Sequence, residues 1–280
     1  MTEARRTSTG HEVSDTPWLD VHFQSARTEY EESLRHVGVK PGWTVLDAGC
    51  GGGNFLPLLG ELIGARGRLV ALDVAPENVA RVEALIHEGH LPDGVRTQQG
   101  SVLALPFDDA TFDCVWCANV VQYLRHAEFA SAVAEFRRVL KPGGTLAIKE
   151  FDVTMLQIVP MDCLVLARFV AARITKQIAS GVVGTGSANF LPSWLRRLGL
   201  AEIRRKGWLV ERWAPVAPAT RGFVAELLTY FAGAAETYDL STDDLRVWRK
   251  MAANPASVLD DPDFCFREFF VTTAGQFVSA

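Results

Sequence analysis

The sequence predicts an α/β protein built on a doubly wound, mostly parallel sheet, and three observations carry that expectation. From residue 38 to residue 150, short apolar runs alternate with helix-patterned segments in units of about 25 to 30 residues. Glycine, proline or an acid punctuates the turns between them. The first run passes straight through four glycines within positions 49–53 into a helical segment. Right-handed crossovers between parallel strands then place helices on both faces of the sheet.

Element by element, residues 18–37 carry Trp18, Val21, Tyr30, Leu34 and Val37 at helical spacing and stop at Gly38, before the turn Lys40-Pro41-Gly42. Residues 44–46 read as a short strand running into Asp47. Residues 54–63 follow as a helix, with Pro57 in its first turn, where a missing N–H costs nothing. A second strand, 69–72, ends at Asp73, and Pro76 with Glu77 opens a helix reaching residue 88. Strands at 95–99 and 112–118, a helix at 128–140 and a fifth strand at 145–149 complete the alternation. The rhythm changes after residue 151. A mostly helical stretch (155–179) leads to a glycine-rich break (181–186), a short helix (192–198), a strand (201–211), two helices (220–235 and 242–252) and a closing segment (264–273). The expected organisation is a disordered tail (1–17) and a single domain (18–280). Within it, 38–150 binds the main ligand, 151–262 adds helical lid elements and 263–280 closes the sheet.

Composition narrows the function classes. The 280 residues are 48% hydrophobic and 22% charged, as in globular proteins, with 28 basic and 33 acidic side chains for a net charge of −5. No basic excess marks a nucleic-acid or anionic-membrane partner. Asp162, Arg168 and Arg173 interrupt the most apolar late stretch, and no run reaches the roughly 18 apolar residues of a membrane helix. The first 17 residues lack the apolar centre of a signal peptide. Five cysteines without framework spacing suit reduced thiols and a cytoplasmic setting. Cys114 and Cys117 form a C-x-x-C, but inside a strand pattern residues three apart face opposite ways, so core packing is expected there and no metal site.

The glycine cluster points to a ligand. Ligands of open α/β sheets bind beyond the carboxyl ends of the strands. Glycines let backbone approach them closely, and the following helix N-terminus offers unpaired N–H groups. A dinucleotide fingerprint would need its third glycine at position 54, which is Asn54. Asp47 at the strand end would also repel a pyrophosphate, whereas it suits an ammonium or sulfonium cation. Asp73, ending the second strand, is placed to accept from ribose hydroxyls. The favoured ligand is an adenosine attached to an amino acid.

Asp47-Ala48-Gly49-Cys50-Gly51-Gly52-Gly53 resembles the first motif of the class I S-adenosylmethionine-dependent methyltransferases. Leu69-Val70-Ala71-Leu72-Asp73 resembles their second. The run from Gly100 to Phe107 followed by Phe112-Asp113 resembles the third, and Leu140-Lys141-Pro142-Gly143-Gly144 the turn before strand five. The four motifs stand in the family's order over residues 40–150 and lie closest to its small-molecule branch, that of ubiquinone-type and natural-product methyltransferases. The resemblance implies a Rossmann-like, seven-stranded sheet whose last strand, 267–273 here, is antiparallel. It implies that S-adenosyl-L-methionine is the cofactor. Asp47, Gly49 and Gly51 would line its methionine end, with Cys50 and Asn54 completing the loop. Asp73 would hold the ribose, Val74 pack on the adenine, and Ser101, Val102 and Leu103 read the adenine edge. Asn119 would lie beneath the methyl-bearing centre, with Gln122 and Tyr123 nearby. Position 101 departs from the family pattern: serine stands where an acid is usual, which implies weaker cofactor binding.

The family further implies an acceptor held above the cofactor, under a lid of residues 18–37, 155–190 and 213–262. Trp208, Trp213, Phe223, Tyr230, Phe231, Tyr238 and Trp248 are then either helix core or walls of a partly aromatic acceptor pocket. The late helices are also the candidate contact of a homodimer. An acceptor with a hydroxyl or an acidic carbon needs a base, and Glu150, Asp152, His22 and His126 are the candidates; Lys149 is expected to pair with one of the acids. The expected function is methylation of an O, N or C atom of a small, partly apolar metabolite, in natural-product biosynthesis. A macromolecular methyltransferase is one alternative, although Asn119-Val120-Val121-Gln122-Tyr123 lacks the prolines of the amino-methylating enzymes of nucleic acids. A non-methylating member of the fold is the other.

Overall fold

A computed structural model describes residues 7–10 and 14–277. Its first half follows the predicted alternation. Strands β1 (Thr44–Ala48), β2 (Arg68–Asp73), β3 (Val95–Gln99), β4 (Phe112–Ala118) and β5 (Leu140–Phe151) are parallel, in the order β3-β2-β1-β4-β5. Helices α3 (Leu56–Ile63), α4 (Pro76–His87) and α5 (His126–Val139) connect them. Two core layers follow from the period-2 alternation of the strands. Val45, Ala71, Cys114, Trp116 and Ala147 face α3 and the N-terminal helices, while Leu46, Leu72, Val115, Cys117, Leu146 and Ile148 face α5. The two sulfurs of the C-x-x-C thus lie in different layers.

The sheet has eight strands, one more than expected. Beyond β5 lies the antiparallel β8 (Cys265–Phe277), flanked on its far side by β7 (Leu200–Trp213). The extra strand, β6 (Gln157–Val159), pairs with residues 265–267 of β8 and prolongs the line of β5. It occupies part of the stretch read as helix over 155–179, where only α6 (Cys163–Ala179) is α-helical; the Asp162 carboxylate starts that helix by accepting from the Leu164 N–H at 2.7 Å.

The helix expected over 18–37 is two helices, α1 (Thr16–Ser25) and α2 (Arg27–Val37), hinged at the buried Ala26. The cause is remote in sequence. Arg212 of β7 donates to the Ser25 carbonyl at 3.1 and 2.7 Å and pairs both Glu29 oxygens at 2.8 and 2.7 Å, satisfying the groups the break exposes. The tail expected to be disordered falls partly outside the described residues. Of those described, Thr7 and Ser14 share a hydroxyl hydrogen bond of 3.0 Å, and α1 starts at Thr16.

A third core belongs to the late segments. Helices α7 (Leu191–Arg197), α8 (Pro218–Ala235), α9 (Thr242–Ala253) and α10 (Ala256–Leu259) follow α6. Phe169 of α6 packs on Phe231 and Trp248 of α8 and α9, with ring centres 4.9 and 4.5 Å away, and Trp18 of α1 packs edge-on against Phe223 of α8. This lobe sits over the carboxyl ends of the parallel strands. Among the described residues, no helix is long and apolar enough to cross a membrane.

Candidate active site

The turn after β1 is shaped by two positions that only glycine fits. Gly49 has φ +82°, and a Cβ there would lie 2.3 Å from Val120 Cγ2; Gly51 has φ +53° and would meet Leu19 Cδ1 at 2.6 Å. Leu19 belongs to α1, so the N-terminal helix already covers the loop. The Gly49 and Cys50 amides donate to the Leu72 carbonyl, at 2.7 and 2.9 Å, which ties the loop to the end of β2.

Asp73 closes that end. Its Oδ2 accepts the Gly51 N–H at 2.8 Å; Oδ1 accepts the Ala75 N–H at 2.9 Å and the Asn78 amide at 3.3 Å. A carboxylate has about four accepting sites, so one remains on Oδ2. Beside it, Val74 is 42% exposed and offers an apolar platform for an aromatic ring. Across from it, the Ser101 hydroxyl accepts from the Leu103 N–H at 3.2 Å.

These residues line one cavity of about 1250 Å³, which continues from the loop into the lobe. Gly49, Cys50, Gly51, Asn54, Asp73, Val74, Ser101, Val102, Leu103, Asn119 and Gln122 are all on its wall, together with Tyr123. Asp47 is not. Its carboxyl is buried at the foot of the loop, with no hydrogen-bond partner on Oδ2, and burial together with the nearby Asp73 pushes its pKa up to about 8.

Of the four candidate bases, the geometry keeps one on the cavity. Glu150 points into the α5 layer, like Leu146 and Ile148, where Oε1 accepts the Val121 N–H at 2.8 Å; burial pushes it up to about 8 despite Lys149 and the surrounding amides. Asp152 starts the short 3₁₀ turn Val153–Met155, accepting from Thr154 N and Oγ1 at 3.0 and 2.6 Å and from the Asn189 amide. His126 is exposed at the start of α5, edge-on to Trp194. These three side chains hold backbone or surface and do not line the cavity.

His22 does. Its ring stacks on Phe223 at 4.3 Å and 3°, and Nε2 lies 3.1 Å from each Glu268 oxygen and 2.9 Å from the Tyr30 hydroxyl. On a straight helix Tyr30 would be about 12 Å further along the axis than His22; the hinge at Ala26 brings the two together. Asn119, held at φ +57° with its N–H bonded to the Lys149 carbonyl, accepts from Lys149 Nζ at 3.0 Å. Lys149 is fully buried, 3.8 Å from the Tyr30 ring centre and 4.5 Å from that of Phe270, and burial lowers its pKa to about 7. It lies under this cluster and forms no ion pair with a described acid. Burial, then Glu268, raises the Tyr30 hydroxyl well above its ordinary value.

The sequence reading missed Tyr30 and Glu268 as site residues, and Lys149 in its observed role. Only tertiary structure brings Glu268 to a position 246 residues away; Tyr30 was visible as an apolar-face residue of its helix. The lobe aromatics divide. Phe223, Tyr230, Phe231 and Tyr238 line the cavity, Trp248 and Trp208 are core, and Trp213 is 54% exposed.

A family profile described as "Methyltransferase domain" (Methyltransf_11) matches residues 46–148. A 2-phytyl-1,4-naphtoquinone methyltransferase of Synechocystis is 39% identical over 123 residues, covering 42% of this chain and 49% of its own. A sterol 24-C-methyltransferase of Gibberella zeae is 34% identical over 133 residues, covering 47% of this chain and 34% of its own. This chain spans between 34% and 54% of the length of such curated relatives. In fold, it is similar to phosphoethanolamine N-methyltransferase 2 of Haemonchus contortus solved with S-adenosyl-L-methionine, with TM-score 0.53, 13% identity, and coverage of 89% of this chain and 52% of that one.

The residues present fit that cofactor. Asp73 keeps an accepting site for a ribose hydroxyl, Val74 offers its exposed face to adenine, and the orphan oxygen of Asp47 calls for a cation at the methionine end. The cysteine, glycine and aspartate positions that make this cradle all stand within or beside the matched segment. Over residues 46–148 the chain matches the methyltransferase domain family, and the residues around its glycine loop fit S-adenosyl-L-methionine.

Proposed function

We propose that this chain methylates a small, partly apolar metabolite, in specialised biosynthesis in the cytoplasm, with His22 as the base. The observation that carries the reading is a single cavity walled at one end by the glycine loop and Asp73 and at the other by His22, Tyr30, Glu268 and the lobe aromatics. When bound, the cofactor supplies a methyl group on a cationic sulfur.

The chain's own residues supply position, dryness and a proton acceptor. The α1 helix lays Leu19 over Gly51, and the lobe covers the rest, which excludes water from the centre. His22 has Nε2 turned to Glu268, so a proton leaving the acceptor is taken on Nδ1. The Nε2–H then donates to the Glu268 carboxylate, whose charge offsets that of the imidazolium. The Tyr30 hydroxyl, 2.9 Å from Nε2, holds this pair in place. An oxygen, nitrogen or acidic-carbon acceptor can use the same proton route.

Calorimetric titration with S-adenosylhomocysteine tests the reading. The wild type is expected to bind at one saturable site, and Asp73→Ala to bind on the order of 10- to 100-fold more weakly, the worth of hydrogen bonds to a charged group. A panel of hydroxylated and amino aromatic acceptors with S-adenosylmethionine should then release the demethylated cofactor. No binding by the wild type ends the proposal; binding without turnover on any acceptor points to a member of the fold that keeps the cofactor for another use.

A further inference from the structure

We propose that Arg173 anchors a carboxylate on the acceptor, so that the substrate class is an apolar acid; this rests on the acceptor cavity of the proposed function. Arg173 lies on α6, half-buried in the cavity wall, far along the chain from the cofactor loop. Its neighbours are neutral. Nε donates to Thr185 Oγ1 at 3.3 Å, and Nη1 to the hydroxyls of Tyr230 and Tyr238 at 3.4 and 3.2 Å. A guanidinium has five N–H donors, and the two on Nη2 bond to no described residue.

Several other arginines are paired with acids. Arg138 pairs with Glu135, Arg168 with Asp244 and Arg212 with Glu29, each at 2.8 Å or less. Arg173 is instead half-buried in a cavity wall, with only hydroxyls among its described hydrogen-bond partners. Burying such a charge unpaired is costly, so a ligand that brings an anion is favoured there. Lys176, three residues on along the same helix face, adds a second cation to the wall; its Nζ donates to Thr237 Oγ1 at 2.8 Å. Glu226, one helical turn before Tyr230, is an acid on the same wall.

The shape of the anion follows from the donors. Nη2 has two diverging N–H groups free, which suit a charge-assisted hydrogen bond to a singly charged carboxylate, whereas a doubly charged phosphate needs more cationic partners than this wall gives. Around the fork the wall is aromatic, with Tyr230 and Phe231 ring centres 5.8 and 5.9 Å from the guanidinium carbon, so the rest of the ligand is apolar.

The test is titration of the full chain with 4-phenylbutanoate and with its neutral amide, with and without saturating S-adenosylhomocysteine. The acid is expected to bind more tightly than the amide. Arg173→Gln should weaken the acid on the order of 10- to 100-fold while leaving the amide and S-adenosylhomocysteine unchanged, and Arg173→Lys should recover part of the loss. Equal affinity of acid and amide in the wild type, an equal loss of both in Arg173→Gln, or no binding of the acid at millimolar concentration overturns the inference. A protein that binds the acid through Arg173 but not S-adenosylhomocysteine keeps this inference and loses the methyl-transfer reading. The reverse pattern does the opposite.

Discussion

Replacing Asp47 by Asn should make the cofactor-free protein more stable at neutral pH and poorer at holding its cofactor. The Asp47 carboxyl is 1% exposed, its Oδ2 has no hydrogen-bond partner, and burial with the charge of Asp73 raises its pKa from 3.8 to about 8. Since the folded value exceeds the unfolded one, the folded chain binds more protons between those two values. The contribution to stability is therefore fully present below about pH 4 and is lost as the pH rises toward 8. At pH 7 the gap is about 3 units, or about 4 kcal/mol at 1.36 kcal/mol per unit. An unsatisfied amide in the same place returns about 1–3 kcal/mol of that, which leaves a net gain of about 1–3 kcal/mol for Asp47→Asn.

Urea unfolding of both proteins from pH 5 to pH 8 reads this directly. Between pH 5 and pH 7 the wild type should lose about 3 kcal/mol more than the variant. Saturating S-adenosylhomocysteine, whose ammonium brings a positive charge to the loop above Asp47, should narrow the gap, and the variant should bind it about tenfold more weakly. Parallel pH profiles, or a variant less stable than wild type at pH 8, would refute the reasoning: Asp47 would then be compensated in a way its geometry does not show.

Other substitutions separate chemistry from scaffolding. His22→Gln should lower turnover on the order of 10²- to 10⁴-fold with S-adenosylhomocysteine affinity unchanged, the range for loss of a positioned base. Glu150→Gln keeps an amide oxygen for the Val121 N–H and should leave turnover near wild type; a loss matching that of His22→Gln would return Glu150 to the reaction. Gly49→Ala forces a Cβ to 2.3 Å from Val120 at φ +82°, so calorimetry should show S-adenosylhomocysteine binding reduced tenfold or more; unchanged binding would mean that the loop has room the structure does not show.

The contrast between Glu150 and Lys149 shows what local sequence can and cannot tell. Both stand at the carboxyl end of a strand that its apolar run makes plain, although the strand begins at Leu140 and takes in the Lys141-Pro142-Gly143-Gly144 run expected to be a turn before it; β3 and β4 fall where their patterns predict. Which of two adjacent residues faces the ligand depends on the parity of the strand against its layers. Ala147 and Lys149 face the N-terminal helices, whereas Ile148 and Glu150 face α5. A strand buried on both sides is apolar at every position, so nothing in its own residues reveals that parity. Glu268 is hidden for the same reason, inside a last strand whose register with β5 sets its face. The cofactor end was legible because a turn, its glycines and its flanking acids lie within a few residues of each other.

The hinge at Ala26 follows the same logic and connects it to chemistry. No glycine or proline marks it; Arg212, on the strand preceding the lobe helices, holds it. A straight helix would carry Tyr30 away from His22, so the ion pair between Arg212 and Glu29 shapes the proposed proton acceptor without touching the cavity. Burying three ionisable groups around that centre, Asp47 and Glu150 raised and Lys149 lowered toward neutrality, is costly for the empty protein. Of the three, Asp47 lies directly beneath the glycine loop, where the charge of a cationic ligand end acts on it through the loop, and that is why cofactor binding and stability should be coupled most strongly at this residue.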